Sequence, residues 1–166
     1  MPSSSIKEKL MHFRAMVESD LGAVFAVESV AAAFPWPLSQ FAGSLNENND
    51  CVVLEIDGVV LGFAIFSRVL DETTLLNIAI YPDLQRRGYG RYLLEQGLES
   101  QISQGMAKCF LEVRVSNIYA QSLYQSLGFI TVGERKKYYP AKKSREDALV
   151  MRRDLPAVAL ALIEMS

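Results

Sequence analysis

Three places in the chain carry residues suited to chemistry. The first is Gln85-Arg86-Arg87-Gly88-Tyr89-Gly90, with two glycines one residue apart behind paired arginines. Glycine lacks Cβ, so backbone amides there can approach a ligand closely. The run leads into a helix pattern, whose start adds unpaired N–H groups and the positive end of a dipole. Arg86, Arg87 and Arg91 add local positive charge. This chemistry suits a pyrophosphate; the other reading is a solvated turn before a surface helix. Neither GxxxxGK[ST] nor GxGxxG is present, so the familiar nucleotide loops do not apply. The second place is Glu112, a lone carboxylate in "KCFLEVRV". An apolar strand of this kind suits a general base. The plainer reading is an ion pair with Arg114, which shares its strand face by period-two alternation. The third is "SNIYAQSLYQSLGF". Asn117 opens a helix there, in the plain reading as its cap. Tyr124 lies on the apolar stripe Ala120, Leu123, Tyr124 and Leu127, where a tyrosine is commonly a core residue with a satisfied hydroxyl.

Regular elements must position these residues. Leu10–Val17 reads as a strand. A helix capped by Ser19 or Asp20 follows through "LGAVFAVESVAAAF". "FPWPLS" interrupts it, because two prolines cannot continue a helix, and Ser39 can cap a second short helix to Leu45. "CVVLEI" and "VVLGFAIFSRV" are strands joined by Asp57-Gly58, a strong two-residue hairpin signal. "TLLNIAI" is a buried strand ending ahead of the glycine loop. Tyr89–Ser103 carries Leu94, Leu98 and Ile102 at helical spacing. "KCFLEVRV" is the next strand, and Asn117–Leu127 a helix stopped at Gly128-Phe129. Strands near Ile130–Tyr139 and Asp147–Asp154 complete the order β-α-α-β-β-β-α-β-α-β-β. That order predicts a mixed sheet with helices on its faces, an α/β or α+β single domain. The apolar tail "PAVALALIEMS", residues 156–166, is expected to be a helix begun by Pro156, packed on its own domain or on a second copy.

The 166 residues suit one domain with a real core. A net charge of −2 gives no global basic field, so nucleic acid is not an expected partner. Basic residues are local: Arg86, Arg87 and Arg91, then Arg135, Lys136, Lys137, Lys142 and Lys143. Cys51 and Cys109 have neither CxxC nor CxxH spacing, so neither metal binding nor a disulfide framework is expected. Both read as reduced core residues of a cytoplasmic protein. "MPSSSIKEKLMHF" lacks the apolar segment of a signal peptide. No run approaches the roughly 18–20 apolar residues of a membrane span.

Taken together, these residues resemble a family. "QRRGYG" matches the Q/R-x-x-G-x-G/A signature of the GNAT N-acetyltransferase superfamily, with "NIAI" before it and "LEVRVSNIYAQSLYQSLGF" after it in that superfamily's order. Within it the chain is most similar to RimI-type ribosomal-protein alanine N-acetyltransferases. "AFPW" near residues 33–36, "VLDETTLLNIAIYPDLQRRGYGRYLL", "LEVRVSN", "LYQSLGF", "YYP" and "REDALVM" carry that likeness, which spans Phe13 to Leu155.

The resemblance implies a GNAT fold: a central, mixed, mostly antiparallel sheet whose parallel central strands splay apart, with helices on both faces. It implies acetyl-CoA as co-substrate and no metal. Backbone groups of Ile78, Ala79 and Ile80 would bind the pantetheine arm and the acetyl carbonyl. The amide near Ile80 would stabilise an oxyanion. Arg86, Arg87, Gly88, Tyr89, Gly90 and Arg91 would hold the pyrophosphate, and Asn117 would contact the cofactor. Glu112 matches the general base and Tyr124 the general acid of a direct transfer. The substrate would be a protein N-terminus, alanine at the start of a small-subunit ribosomal protein. Phe34, Trp36, Tyr138 and Tyr139 lie in segments that flank the peptide cleft of related enzymes; their plain reading is hydrophobic packing. The catalytic domain would span 1–155, in a monomer or weak homodimer. Two other readings stay open: a GNAT acting on lysine side chains or small amines, and a silent acyl-CoA-binding GNAT domain.

Overall fold

The computed structural model describes residues 10–141 and 145–157 of the chain. Lys142, Lys143 and the tail from residue 158 lie outside the described residues, and so does the expected tail helix. The elements are β1 (Met11–Ala15), α1 (Leu21–Ala31), α2 (Leu38–Ser44), β2 (Asn49–Ile56), β3 (Val59–Val69), β4 (Glu72–Ile80), α3 (Tyr89–Ser103), β5 (Lys108–Arg114), α4 (Ile118–Ser126), β6 (Ile130–Pro140) and β7 (Arg145–Asp154). Short 3-10 turns, Glu18–Asp20 and Pro82–Leu84, precede α1 and α3. The strands form one seven-stranded sheet in the order β1-β2-β3-β4-β5-β7-β6. β1 runs antiparallel to β2, β5 to β7 and β6 to β7, while β4 and β5 are parallel. A parallel pair needs a crossover, and α3 supplies it. The expected mixed sheet with a parallel central pair is borne out.

Two compact units divide the chain. One comprises residues 1–65 and 77–96, the other 66–76 and 97–166, so β3, β4 and α3 each contribute to both. In the first unit Met16, Val24, Val27, Phe41, Cys51, Val53, Phe63 and Ile65 form a buried cluster, with Leu21, Trp36, Leu45, Val60 and Ala79 packed against it. Period two explains the strand members: Cys51 and Val53, like Phe63 and Ile65, point to one face. Asp57 and Gly58 turn the β2–β3 hairpin with φ of 51° and 82°, the left-handed pair that a two-residue turn of this twist requires. In the second unit Gly97 lies against Phe66, and a Cβ there would stand 2.6 Å from the ring. The parallel register runs from Glu72↔Lys108 to Leu75↔Leu111. Cys51 and Cys109 are buried and free.

Two capping expectations are corrected. Asp20 occupies the N-cap position of α1 but makes no side-chain cap bond. Its carboxylate turns back instead, to Arg14 Nη1 and Nη2 at 2.8 and 2.9 Å and to the Val17 N–H at 2.8 Å. Two charge-assisted bonds outweigh one cap bond. α1 also ends at Ala31, short of Phe34. Ser39 lies inside α2, whose N-cap is Pro37 with φ −71° and ψ 158°. A proline locked at that φ and lacking N–H is itself a suitable residue to lead into a helix.

Arg14 also reaches Glu55 Oε2 at 3.0 Å, so one guanidinium joins β1, β2 and the turn before α1. Its hydrogen bonds hold the Asp20 carboxyl below its ordinary 3.8. A depressed carboxylate contributes stability above the unfolded value, and that contribution is lost as pH falls through the folded one. Acid below about pH 3.8 should therefore weaken this unit. Arg14→Ala leaves Asp20, 7% exposed, without its cation. We expect a loss of about 2–3 kcal/mol, read from the denaturant midpoint at neutral pH. An unchanged midpoint would show the cluster to be ornamental.

Candidate active site

The glycine loop belongs to the first unit and begins where β4 ends. The Tyr81 N–H donates to the Leu61 carbonyl at 2.8 Å, closing the strand. Gln85 then folds back, its Nε2 donating to the Ile80 carbonyl at 3.0 Å. This contact ties the loop to the last strand residue and gives the glutamine of "QRRGYG" a physical role. Arg86 and Gly88 both have positive φ, 60° and 91°. Glycine is the residue that adopts such a φ without cost. The first α3 bond runs from Tyr92 N–H to the Gly88 carbonyl at 3.0 Å. The amides of Tyr89 and Gly90 therefore precede the helical ladder and lie at its positive end. Arg86, Arg87, Gly88 and Arg91 are exposed, Tyr89 and Gly90 half-buried. Arg91 Nε lies 3.9 Å from Glu95 on its own helix. Of the β4 candidates, Ile78 and Ala79 are half-buried and Ile80 is buried. Amides that precede the helical ladder, a helix start and local arginines are a chemistry that fits a pyrophosphate.

Phe34 and Trp36 also lie in this unit but differ in setting. Trp36 packs its ring against Phe41, centroids 5.2 Å apart. Phe34 is 45% exposed. Trp36 is thus packed against the core, and Phe34 is open to solvent.

Glu112, Asn117, Tyr124, Tyr138 and Tyr139 all fall in the second unit. The carboxylate of Glu112 is about one-fifth exposed and pairs with Arg135 Nε at 2.9 Å. The Tyr138 hydroxyl is pushed up by burial and then by the nearby Glu112 carboxylate. The expected apolar setting is thus corrected to a polar one, and the expected partner Arg114 to Arg135. Arg114 instead pairs with Glu146 at 3.2 Å and lies over the Tyr139 ring, 4.5 Å from its centroid.

A bulge explains both. β6 and β7 pair Arg135↔Ala148 and then Tyr139↔Glu146. Residues 136–138 of one strand therefore face Asp147 alone on the other. Lys137 takes φ 51° there, and its N–H donates to Asp147 Oδ1 at 2.7 Å. Arg145 donates to the Lys137 and Tyr138 carbonyls. Bulges re-aim side chains. This one brings adjacent Tyr138 and Tyr139 ring to ring, centroids 5.0 Å apart, with both hydroxyls influenced by Glu112. Burial first, then Glu112, pushes Tyr139 up to about 12.

α4 is fastened at its start. Asn117 Oδ1 accepts the Ala120 N–H at 3.1 Å, so the capping reading is correct as far as it goes. Gln121 Nε2 donates to the Arg114 and Val115 carbonyls at 3.0 and 2.9 Å, tying the helix to the end of β5. At the other end Gly128 takes φ 92° and the Phe129 N–H returns to the Tyr124 carbonyl at 3.0 Å. Tyr124 is buried, and its ring meets Phe129 at 6.0 Å. Burial pushes its hydroxyl up to about 12, with smaller contributions from Tyr139 and Cys109.

The pairing of Arg135 with Glu112 escaped the sequence reading, because strand alternation cannot foresee a bulge. Glu28 escaped it too, although a signal was present: it follows Val24 and Val27 at helical spacing on the buried face of α1.

With this geometry the profile of the Acetyltransferase (GNAT) family matches residues 14–129. The chain belongs to that family, as its motifs suggested. More narrowly, it is 45% identical over 133 residues to the ribosomal protein bS18-alanine N-acetyltransferase of Escherichia coli K12, covering 80% of this chain and 90% of that one. The protein of the same name from Haemophilus influenzae is 38% identical over the same shares of both chains. The crystal structure of the Escherichia coli ribosomal-protein-S18-alanine N-acetyltransferase superposes with a TM-score of 0.85 at 41% identity, covering 88% of this chain and 94% of that one. The RimI-type resemblance is borne out.

Proposed function

We propose that this chain acetylates the N-terminal α-amine of a protein, with alanine at the start of a small-subunit ribosomal protein as acceptor. The observation that carries the reading is the likeness, along nearly the full length of the relatives, to enzymes named for that acceptor. Acetyl-CoA supplies an acetyl group already activated as a thioester, so the reaction asks for no metal. Ile78, Ala79 and Ile80 hold the pantetheine arm and acetyl carbonyl through backbone groups, and the amide near Ile80 opposes developing negative charge. Arg86, Arg87, Gly88, Tyr89, Gly90 and Arg91 hold the pyrophosphate. Asn117, whose cap uses only its oxygen, offers its amide group to the cofactor. Glu112 takes the proton that an ammonium must lose before it can attack. Tyr124, kept neutral by burial, donates toward the departing thiolate. Phe34, Tyr138 and Tyr139 receive the peptide, and Trp36, packed on Phe41, supports the segment that carries Phe34. In this reading the protein works in the cytoplasm as one catalytic domain over 1–155, monomeric or weakly dimeric, without nucleic acid or membrane.

Two measurements test it. Acetyl-CoA at about 100 times its Kd should add about 2.7 kcal/mol of stability, seen as a raised melting temperature. No rise at saturation would sink the pyrophosphate assignment. Incubation of a peptide panel with acetyl-CoA, read by mass spectrometry, should give acetyl on the α-amine of alanine-starting peptides. The mark should vanish when that amine is blocked and persist when lysine is replaced. The reverse pattern would favour a lysine-directed enzyme.

A further inference from the structure

α1 carries a carboxylate where an apolar side chain would be expected. Glu28 is 3% exposed, beside buried Val24 and Val27. A buried charge is costly unless donors converge on it. Two donors do so on a single oxygen: Oε2 accepts the Trp36 N–H at 3.0 Å and Asn77 Nδ2 at 3.0 Å. The first donor is unusual in its own segment. Pro35 and Pro37 flank Trp36 and have no N–H. Trp36 thus offers the one amide of that tripeptide, and Glu28 takes it. The second donor sits on β4, immediately before Ile78. The Trp36 ring is meanwhile set against Phe41, while Phe34 two residues earlier stays 45% exposed.

We infer that Glu28 is a positioning residue for the acceptor: its Oε2 fastens the backbone of the Phe34–Trp36 segment to Asn77 on β4 and so presents Phe34 to the incoming peptide. Trp36 is then an anchor and Phe34 the contact. This rests on the assignment of that segment to the acceptor. Glu28 touches no reacting atom. Its work is to hold a proline-flanked segment that cannot make a regular backbone ladder.

The test compares the full-length wild type with Glu28→Ala, Glu28→Gln and Asn77→Ala, using acetyl-CoA and an alanine-starting peptide. Glu28→Ala should raise the peptide KM about tenfold, with kcat at saturating peptide and the KM for acetyl-CoA within about twofold. Glu28→Gln keeps an oxygen that can accept both donors, so it should stay within about twofold of wild type. Asn77→Ala removes one donor and should raise the peptide KM about threefold; it carries the test if Glu28→Ala does not fold. A peptide KM unchanged in the folded variants would overturn the inference. So would equal rises in both KM values, which a merely structural role predicts, or failure of Glu28→Gln to rescue. A wild type that acetylates no alanine-starting peptide would overturn the acceptor assignment and this inference with it. An active wild type with unaffected variants would overturn the inference alone.

Discussion

Glu112→Gln is expected to lower kcat for an alanine-starting peptide by about 10²–10⁴-fold, while acetyl-CoA still raises the melting temperature. The size follows from the acceptor. An N-terminal amine is largely protonated near neutral pH, with an ordinary pKa of about 7.7–8.0, and its lone pair is free only once that proton has gone. Glutamine has the shape of glutamate but cannot take the proton. The fold should survive the change. Arg135, the cation facing Glu112, has a side chain 56% exposed, so water can solvate it when the carboxylate is gone. Exposed pairs of this kind are worth about 0–1 kcal/mol. A catalytic loss without a stability loss is therefore the signature of the base. Turnover equal to wild type would remove Glu112 from that role and return it to the ion pair with Arg135. A large fall in melting temperature would point to a structural role instead.

The elements around this site were legible wherever one periodicity acted without interruption. Tyr89–Ser103 was read to the residue, because Leu94, Leu98 and Ile102 share one face and the glycine loop marks its start. Asp57-Gly58 announced its turn because few residue pairs tolerate positive φ twice. What escaped was decided by contacts distant in sequence. Asp20 has the composition of a cap, yet Arg14, six residues back, competes for it with two bonds. Glu112 and Arg114 share a strand face, yet the bulge at residues 136–138 turns Arg135 toward the first, while Glu146 takes the second. A one-dimensional pattern carries no information about a register shift on another strand. Glu28 lies between these cases. Its helical position was readable as buried, but its donors, Trp36 and Asn77, lie 8 and 49 residues away. The motif residues themselves stood out for a different reason. Glycine at 88 is demanded by its φ of 91°, and such demands are visible in sequence as residue identity.

Tyr124→Phe should lower kcat about 10²-fold and leave the KM for acetyl-CoA within about twofold. A departing thiolate needs a proton or a strong donor, and phenylalanine offers neither. The lower end of the general-acid range is expected, because a donor works best with a pKa near the operating pH. Tyr124 is pushed up to about 12, so its hydroxyl stays neutral and donates as charge grows on sulfur. The same shift predicts behaviour in alkali. Folding favours the neutral phenol, so Tyr124 contributes stability that is fully present below pH 10.0. That contribution is lost as pH rises from 10.0 to about 12. The variant has nothing to ionise at this position. Its denaturant midpoint should therefore fall less than that of wild type across the same window. Tyr139 and Cys109, both also near 12, remain in the variant, so the alkaline decline is reduced and not abolished. If kcat is unchanged while the alkaline decline is reduced, Tyr124 is a buried core tyrosine and the departing thiol finds its proton elsewhere. If kcat falls and the two alkaline curves coincide, the hydroxyl is the donor, but burial is not what keeps it neutral.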